Sequence, residues 1–364
     1  MGNIIATTAI GLCTLYVSLI ILFSIGLLRR LRSASPEQPN VSIIVPARNE
    51  AHNLDACLNA LSAQTYPAHQ FEIIIVDDRS TDETANKIRA WQTKLSNLHG
   101  VSVEQQEFDC PKKNALWQGI KQAHHDIVFT TDADCRPGPN WLSSTIVQFA
   151  SNIGMVIGHA PLIQEGKTQS LLSLQALIVS ILAAGSAGIG FPLTCTGRNL
   201  AFRRQSFDEA NGYSAIGHII GGDDVLLMNQ IINNTSWKIR FNADPKSYVP
   251  SAPHPDNLLD RQVRYQSKTI HYAIPTLILA TAIYIFHAIL LALPLAFFLS
   301  TQLLHTIGFC LITKIMADAV LLLLGAHKFK SLKLLMWFPV LEILIVPYIV
   351  IICALGTFSP FKWK

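Results

Sequence analysis

The chain has 364 residues, 50% hydrophobic and only 14% charged, with a formal net charge of +4. That balance puts a membrane protein first, and a small positive charge is what positive-inside topology gives. No basic and aromatic stripe suits a polynucleotide, so nucleic acid is excluded as a partner.

The apolar residues are clustered. Ile4 to Leu28 is nearly uncharged and long enough to span a bilayer. Arg29, Arg30 and Arg32 come after it, whereas a cleavable signal carries its charge before the apolar run. Residues 1–32 therefore read as an anchor with its N-terminus outside and its C-terminal end in the cytoplasm. Residues 33–268 have the composition of a soluble domain, expected at the cytoplasmic face of the cell membrane. Residues 269–364 turn apolar again, with about three further spans near Thr276–Ser300, Gln302–Gly325 and Leu334–Leu355. The basic loop carrying Lys328, Lys330 and Lys333 then returns to the cytoplasm. Lys314 and Asp318, four residues apart within one span, read as a paired structural bridge. Ser170 to Leu193 is also apolar, but it separates Asp134 from Asp223-Asp224. If those serve one site, it cannot cross once, and it reads as buried or lying at the membrane face.

Within the soluble part, Val41 to Pro46 is a β-branched run, hence a strand. A helical pattern follows from His52 to Gln64, with Leu54, Leu58 and Leu61 on one face. Phe71 to Val76 is the second strand, and Thr81 is placed to cap the helix after it. Val101 to Glu104 is a weaker strand, Lys112 to His124 a helix, and Ile127 to Thr130 a buried strand. Alternation at this spacing predicts an open α/β sheet, with ligands at the carboxyl ends of its strands. Pro46-Arg48, Asp77-Asp78 and Asp132-Asp134 all fall at such ends. There is no Gly-x-Gly-x-x-Gly after the first strand and no phosphate-loop lysine motif, against a dehydrogenase or a phosphate-loop ATPase. The cysteines lack Cys-x-x-Cys spacing, which fits a reducing cytoplasm and argues against a disulfide framework or zinc site.

Asp132 and Asp134 put two hard oxygen ligands at the end of a strand. Magnesium or manganese (Mg2+ or Mn2+) takes one or two protein carboxylates and lets diphosphate oxygens fill the remaining positions. The alternative is an Asp-rich turn punctuated by Pro137 and Gly138. Asp224 has two readings of its own, a general base or the N-cap of a helix over 225–232.

The ordered set VSIIVPARNE, VDDRSTDET, PKKNALWQGI, TDADC, TGRNLAFRR, GGDD and RQVRYQSK resembles the family-2 inverting glycosyltransferases. The likeness is to the membrane-bound branch that includes cellulose synthase, polysaccharide synthases and ceramide glucosyltransferase, over roughly Val41 to Lys268. It implies a GT-A fold, a nucleotide-sugar donor (a UDP-sugar by default), a divalent cation and a lipid or glycan acceptor. By this resemblance Pro46, Arg48 and Glu50 contact the nucleotide, and Asp77 and Asp78 read base and ribose. Lys112 lies near the nucleotide or diphosphate. Asp132 and Asp134 hold the metal, with Asp134 as direct ligand. Asp224, beside Asp223, falls where the catalytic base sits. Arg261, Arg264 and Tyr265 resemble the Gln/Arg-x-x-Arg-Trp motif, with Tyr in place of Trp, and Asn199 either orders the acceptor side or satisfies backbone groups. Two other readings remain at this stage: a processive polysaccharide synthase subunit, and a non-catalytic scaffold that binds nucleotide sugar.

Overall fold

The three β-branched runs lie side by side. β1 (Val41–Ala47) pairs in parallel with β2 (Phe71–Asp77) on one side and with β4 (Ile127–Thr130) on the other, and β3 (Leu98–Ser102) extends the sheet beyond β2. They are seen in a computed structural model that describes residues 2–29, 38–163, 167–253, 262–263 and 266–358. β5 (Ile153–Gly158), β6 (Leu200–Arg203) and β7 (Lys238–Asn242) complete a seven-stranded mixed sheet in the order β3-β2-β1-β4-β6-β5-β7. β6 runs antiparallel to both β4 and β5.

Every residue of β2 and all but one of β1 are buried, as expected of parallel strands covered on both faces. On one face Ile43, Val45, Ile73, Ile75 and Phe129 form a core with Leu54, Leu58 and Leu61 of α2 (Ala51–Ser62) and with Trp141 at the start of α5 (Trp141–Ile146). Burying each such side chain contributes about 1.5–3 kcal/mol. The other helices of this unit are α3 (Thr84–Gln92), α4 (Pro111–Gln122), α7 (Arg204–Glu209) and α8 (Val225–Asn234). The cap of α3 is not Thr81. Asp82 Oδ1 accepts from the Thr84 amide at 2.9 Å, while the Thr81 amide donates to Asn49 Oδ1 at 2.8 Å. The weak third strand starts three residues earlier than its sequence pattern indicates, because Leu98 pairs with Ile73.

The chain divides into two compact units: Arg30–Glu165 with Gly190–Pro253, which holds the sheet, and Met1–Arg29, Gly166–Ile189 and His254–Lys364, which is helical. The second unit takes in the apolar segment Gly166–Ile189.

The helical unit contains α1 (Gly2–Leu28), α6 (Lys167–Gly188), α9 (Ile274–Leu291), α10 (Leu293–Leu299), α11 (Thr301–Lys328) and α12 (Phe338–Phe358). Among the described residues, five segments are long and apolar enough to cross a membrane: Gly2–Leu28, Ser170–Gly188, Ile274–Leu291, Thr301–Lys328 and Leu332–Thr357. One of them, in α6, connects β5 to β6. Those two strands are hydrogen-bonded neighbours, so the chain leaves the sheet and returns to it at the same edge. The α6 segment is also the most buried of the five. Arg29 Nη1 donates to the Gly188 carbonyl at 3.1 Å, and Lys328 donates to the Leu27 carbonyl. The basic loop after α11 therefore lies at the same end of the unit as the arginine that follows α1.

The expected Lys314–Asp318 pair is present, with two additions. Lys314 Nζ, fully buried, lies 2.8 Å from Asp318 Oδ2 and 2.7 Å from Glu342 Oε2, and the Tyr16 hydroxyl donates to Asp318 Oδ1 at 2.6 Å.

Two consequences are measurable. Glu72 accepts from Ser42 Oγ (2.6 Å), the His124 amide (2.7 Å) and His124 Nδ1 (2.9 Å). Burial works to raise its carboxyl, but these donors prevail and hold it below the ordinary glutamate value. Glu72→Gln is expected to cost about 1.5–3 kcal/mol at neutral pH. A depressed folded-state pKa stabilises above the unfolded value, so the gap to wild type closes as pH falls through the folded-state pKa. Denaturation at a series of pH values checks this. In the helical unit a Cβ on Gly26 would sit 2.0 Å from the Gly185 carbonyl oxygen, whereas one on Gly11 of the same helix meets nothing within 4 Å. Gly26→Ala should cost about 1–3 kcal/mol or more, and Gly11→Ala none, as read by thermal midpoints in detergent.

Candidate active site

The site opens where two neighbouring strands part. The β1–β4 ladder ends at Ile44↔Thr130, closed by the Thr131 amide donating to the Ile44 carbonyl at 3.3 Å. Ile44 faces β4, so Pro46, two residues on, faces the same way, past the last rung. A proline in a central strand thus forfeits no ladder bond. β1 continues to pair with β2 as far as Ala47↔Asp77. The gap between the carboxyl ends of β1 and β4 is the switch point of the sheet, where α/β folds bind ligands.

One side of the gap is a laced pair of loops. The Asn49 amide donates to Ser80 Oγ at 3.0 Å, and the Glu50 amide to Thr84 Oγ1 at 2.9 Å. Asn49 and Arg79 both adopt positive φ, at 56° and 57°. The buried Asp78 carboxylate is gripped by Arg79 Nε at 2.9 Å and approached by Arg48 Nη1 at 3.7 Å. Asp77 Oδ1 accepts from the Ser80 amide at 3.2 Å, and Glu50 Oε2 from Asn53 Nδ2 at 2.8 Å.

The other side carries the acids. Asp132 and Asp134 follow β4 in a turn closed by the Cys135 amide on the Asp132 carbonyl (3.0 Å), and the Ala252 amide bonds the Asp134 carbonyl (3.0 Å). Asp134 is buried, with Cys135 Sγ 3.3 Å from its Oδ1. Asp223 and Asp224 come from the turn before α8. Gly221 and Gly222 have φ of 75° and 69°, a left-handed pair that explains the two glycines before the two aspartates. Lys112, in the first turn of α4, joins the acid groups. Its Nζ lies 2.7 Å from Asp132 Oδ1 and 3.1 Å from Asp223 Oδ2.

Electrostatics follow from this crowding. Burial raises the Asp132 carboxyl above its ordinary range, Asp134 and Asp223 add to the shift, and Lys112 opposes it. Burial works against the Lys112 ammonium, but Asp132 and Asp223 outweigh it and hold the group firmly cationic. Asp224 fulfils its capping role: Oδ1 accepts from the Val225 amide at 2.7 Å. Its Oδ2 accepts from the Gly197 amide at 2.9 Å, and each oxygen keeps lone-pair capacity for a further partner.

Hard carboxylate oxygens at a strand end fit magnesium or manganese. No group of three or more His, Cys, Asp or Glu side chains is placed to hold a metal among the described residues. A carboxylate pair whose remaining positions are left to phosphate and water matches the chemistry of Mg2+ or Mn2+.

Not every expected residue joins the site. Asn199 is 3% exposed and engaged on all sides. Its Nδ2 donates to the carbonyls of His159 (2.9 Å) and Ser247 (2.8 Å), and its Oδ1 accepts from Trp141 Nε1 (3.0 Å). Of its two sequence readings, the one that satisfies backbone groups holds. It has no donor left for an acceptor. Arg261, Arg264 and Tyr265 lie outside the described residues. Gly197 lies beside the acids although nothing in its motif singles it out. A Cβ there would lie 2.9 Å from Asp223 Oδ2 and 3.5 Å from Lys112 Nζ.

The sheet order and the acidic cluster at its switch point define an open α/β architecture. Over 97% of this chain and 96% of its own, the mannosyltransferase PcManGT from Pyrobaculum calidifontis, solved with GDP-Man and Mn2+, superposes at a TM-score of 0.57 and 18% identity. The fold is GT-A. Residues 42–210 match Glycosyl transferase family 2. Among curated relatives, glycosyltransferase AglE of Haloferax volcanii is 38% identical over 104 residues, 29% of this chain and 33% of its own. The undecaprenyl-phosphate 4-deoxy-4-formamido-L-arabinose transferase of Pseudomonas fluorescens is 30% identical over 109 residues, 30% of this chain and 32% of its own. The matches span half or less of the length of the first curated relatives.

Gly197→Ala is expected to push Asp223 and Lys112 apart and to weaken divalent-ion and nucleotide binding about tenfold, with the sheet intact by circular dichroism. Titration of Mn2+ followed by electron paramagnetic resonance reads the loss directly.

Proposed function

We propose that this chain is a membrane-bound inverting glycosyltransferase. It moves a sugar from a nucleotide-diphosphate sugar to a lipid or glycan acceptor at the cytoplasmic face. The observation that carries the reading is the Lys112 ammonium between Asp132 and Asp223, which gathers the strand-end acids and the Gly-Gly-Asp-Asp turn into one cluster. A scaffold that only bound nucleotide would gain nothing from burying these acids together.

In this reading Arg48, Glu50, Asp77 and Asp78, on the loops after β1 and β2, receive the nucleoside. Asp132 and Asp134 hold a divalent ion, which when bound neutralises charge on the departing diphosphate. Lys112 supplies a further positive charge beside the same phosphates. Asp224 takes the proton from the acceptor hydroxyl as that oxygen attacks the anomeric carbon from the face opposite the leaving group. Its two amide donors fix the carboxylate, leaving lone pairs for that proton. The juxtamembrane Arg261, Arg264 and Tyr265 are proposed on the acceptor and diphosphate side. A lipid acceptor is supported by the apolar helices and by the undecaprenyl-phosphate named for one relative.

The test uses membranes carrying the full chain, supplied with radiolabelled UDP- and GDP-sugars and manganese, then extracted with organic solvent. Label should enter the lipid phase from one donor. Label in insoluble polymer instead would make this a polysaccharide synthase. Asp224→Asn should lose about 10²–10⁴-fold in turnover while still binding donor. Because Asn accepts only one of the two amides, its thermal midpoint is measured alongside. Full turnover in a folded variant would remove Asp224 as base.

A further inference from the structure

The Thr196–Asn199 turn puts a second cation beside the acids. Arg198 is held there by backbone and side chain together. Its carbonyl accepts from Thr131 Oγ1 at 2.8 Å, on the residue immediately before Asp132. The preceding amide, of Gly197, bonds Asp224 Oδ2. The turn thus stitches the end of β4 to the acidic turn before α8, and Arg198 is the residue at the stitch.

Its guanidinium is half-buried and meets only neutral oxygens. Nε donates to Thr196 Oγ1 at 3.3 Å, and Nη1 donates to Ser251 Oγ. Ser251 in turn bridges Cys135, the neighbour of Asp134. Of five guanidinium N–H groups, two are used in this way. Among the described residues no carboxylate pairs with it, although four aspartates lie on the segments it joins. Other half-buried arginines of this unit are spent differently. Arg203 donates to the Ile153 and Ala150 carbonyls, and Arg204 to those of Ile120 and Ala123, so both cap backbone.

A planar cation oriented by two hydroxyls, with unspent donors, matches the oxygens of an anion in a bidentate manner. We propose that Arg198 binds the diphosphate of the donor and stabilises it as leaving group. This rests on the donor reading above and adds a residue to it. Lys112 divides its charge between the protein's acids and the ligand, while Arg198 meets no carboxylate among the described residues.

Calorimetric titration of the detergent-solubilised full chain with UDP and GDP, in manganese, tests this. The corresponding nucleosides are followed by ligand-detected NMR. Arg198→Gln should weaken the diphosphate that binds wild type by about tenfold or more, and its nucleoside by less than about twofold. Arg198→Lys, which keeps the charge but loses the fork, should fall between. Ser251→Ala should change both by less than about threefold. Equal losses for diphosphate and nucleoside would overturn the inference, as would a Ser251→Ala effect as large as that of Arg198→Gln. Either would make the arginine a strut for the 248–252 segment. If wild type bound neither diphosphate, the donor reading would fall, and this inference with it. Diphosphate binding that is undiminished in Arg198→Gln would overturn this inference alone.

Discussion

The carboxyl edge of the sheet depends on one ammonium set among carboxylates. Asp132 and Asp223 come from distant parts of the chain, and burying them close together is unfavourable unless a positive charge lies between them. Lys112 provides it from the first turn of α4, within 3.1 Å of both. Compensation is incomplete, because the Asp132 carboxyl still sits above its ordinary range. Gly197 belongs to this economy of space: only a residue without a side chain lets the turn lie against Asp223.

The first half of this architecture was legible in the sequence, and for definite reasons. β1, β2 and β4 are buried on both faces and are therefore written as unbroken β-branched runs. Their polar ends, at Arg48, Asp77-Asp78 and Asp132-Asp134, stand out against them. β5, β6 and β7 carry glycine or arginine, and β6 takes its pairing from β4 as well as β5, so no local pattern announces them. Asp224 illustrates a different limit. Base and cap look like rival roles in the sequence, yet the carboxylate has oxygens enough to cap α8 and hold Gly197 at once. Asn199 shows the reverse, since a polar residue inside a site motif is consumed by buried carbonyls that only tertiary structure brings near it.

In the helical unit the same accounting of charge applies where water is scarcest. Lys314 and Asp318 were readable as a pair from their spacing of four. Glu342 was not, because its partner lies on another helix. A lone pair on one helix would fix nothing beyond that helix. Shared with Glu342 and Tyr16, it ties α1, α11 and α12 together and sets their register, as a polar contact in an apolar bundle does.

The position of α6 between β5 and β6 has a consequence for how the chain is made. β5 has no neighbour in the sheet except β6 and β7, both of which follow it in synthesis. When β5 leaves the ribosome it has nothing to pair with, and the next residues to emerge are the apolar helix that packs against α1. β6 arrives only afterwards to fill the place beside β4. Folding of the acidic edge is thereby timed by the helices: the strand that closes the sheet next to Asp132 and Asp134 cannot dock until the segment bound for α1 has been released. A long-range closure of this kind is slow relative to local helix formation. During synthesis, the half-built sheet with its open β4 edge is thus the stage most exposed to misassembly.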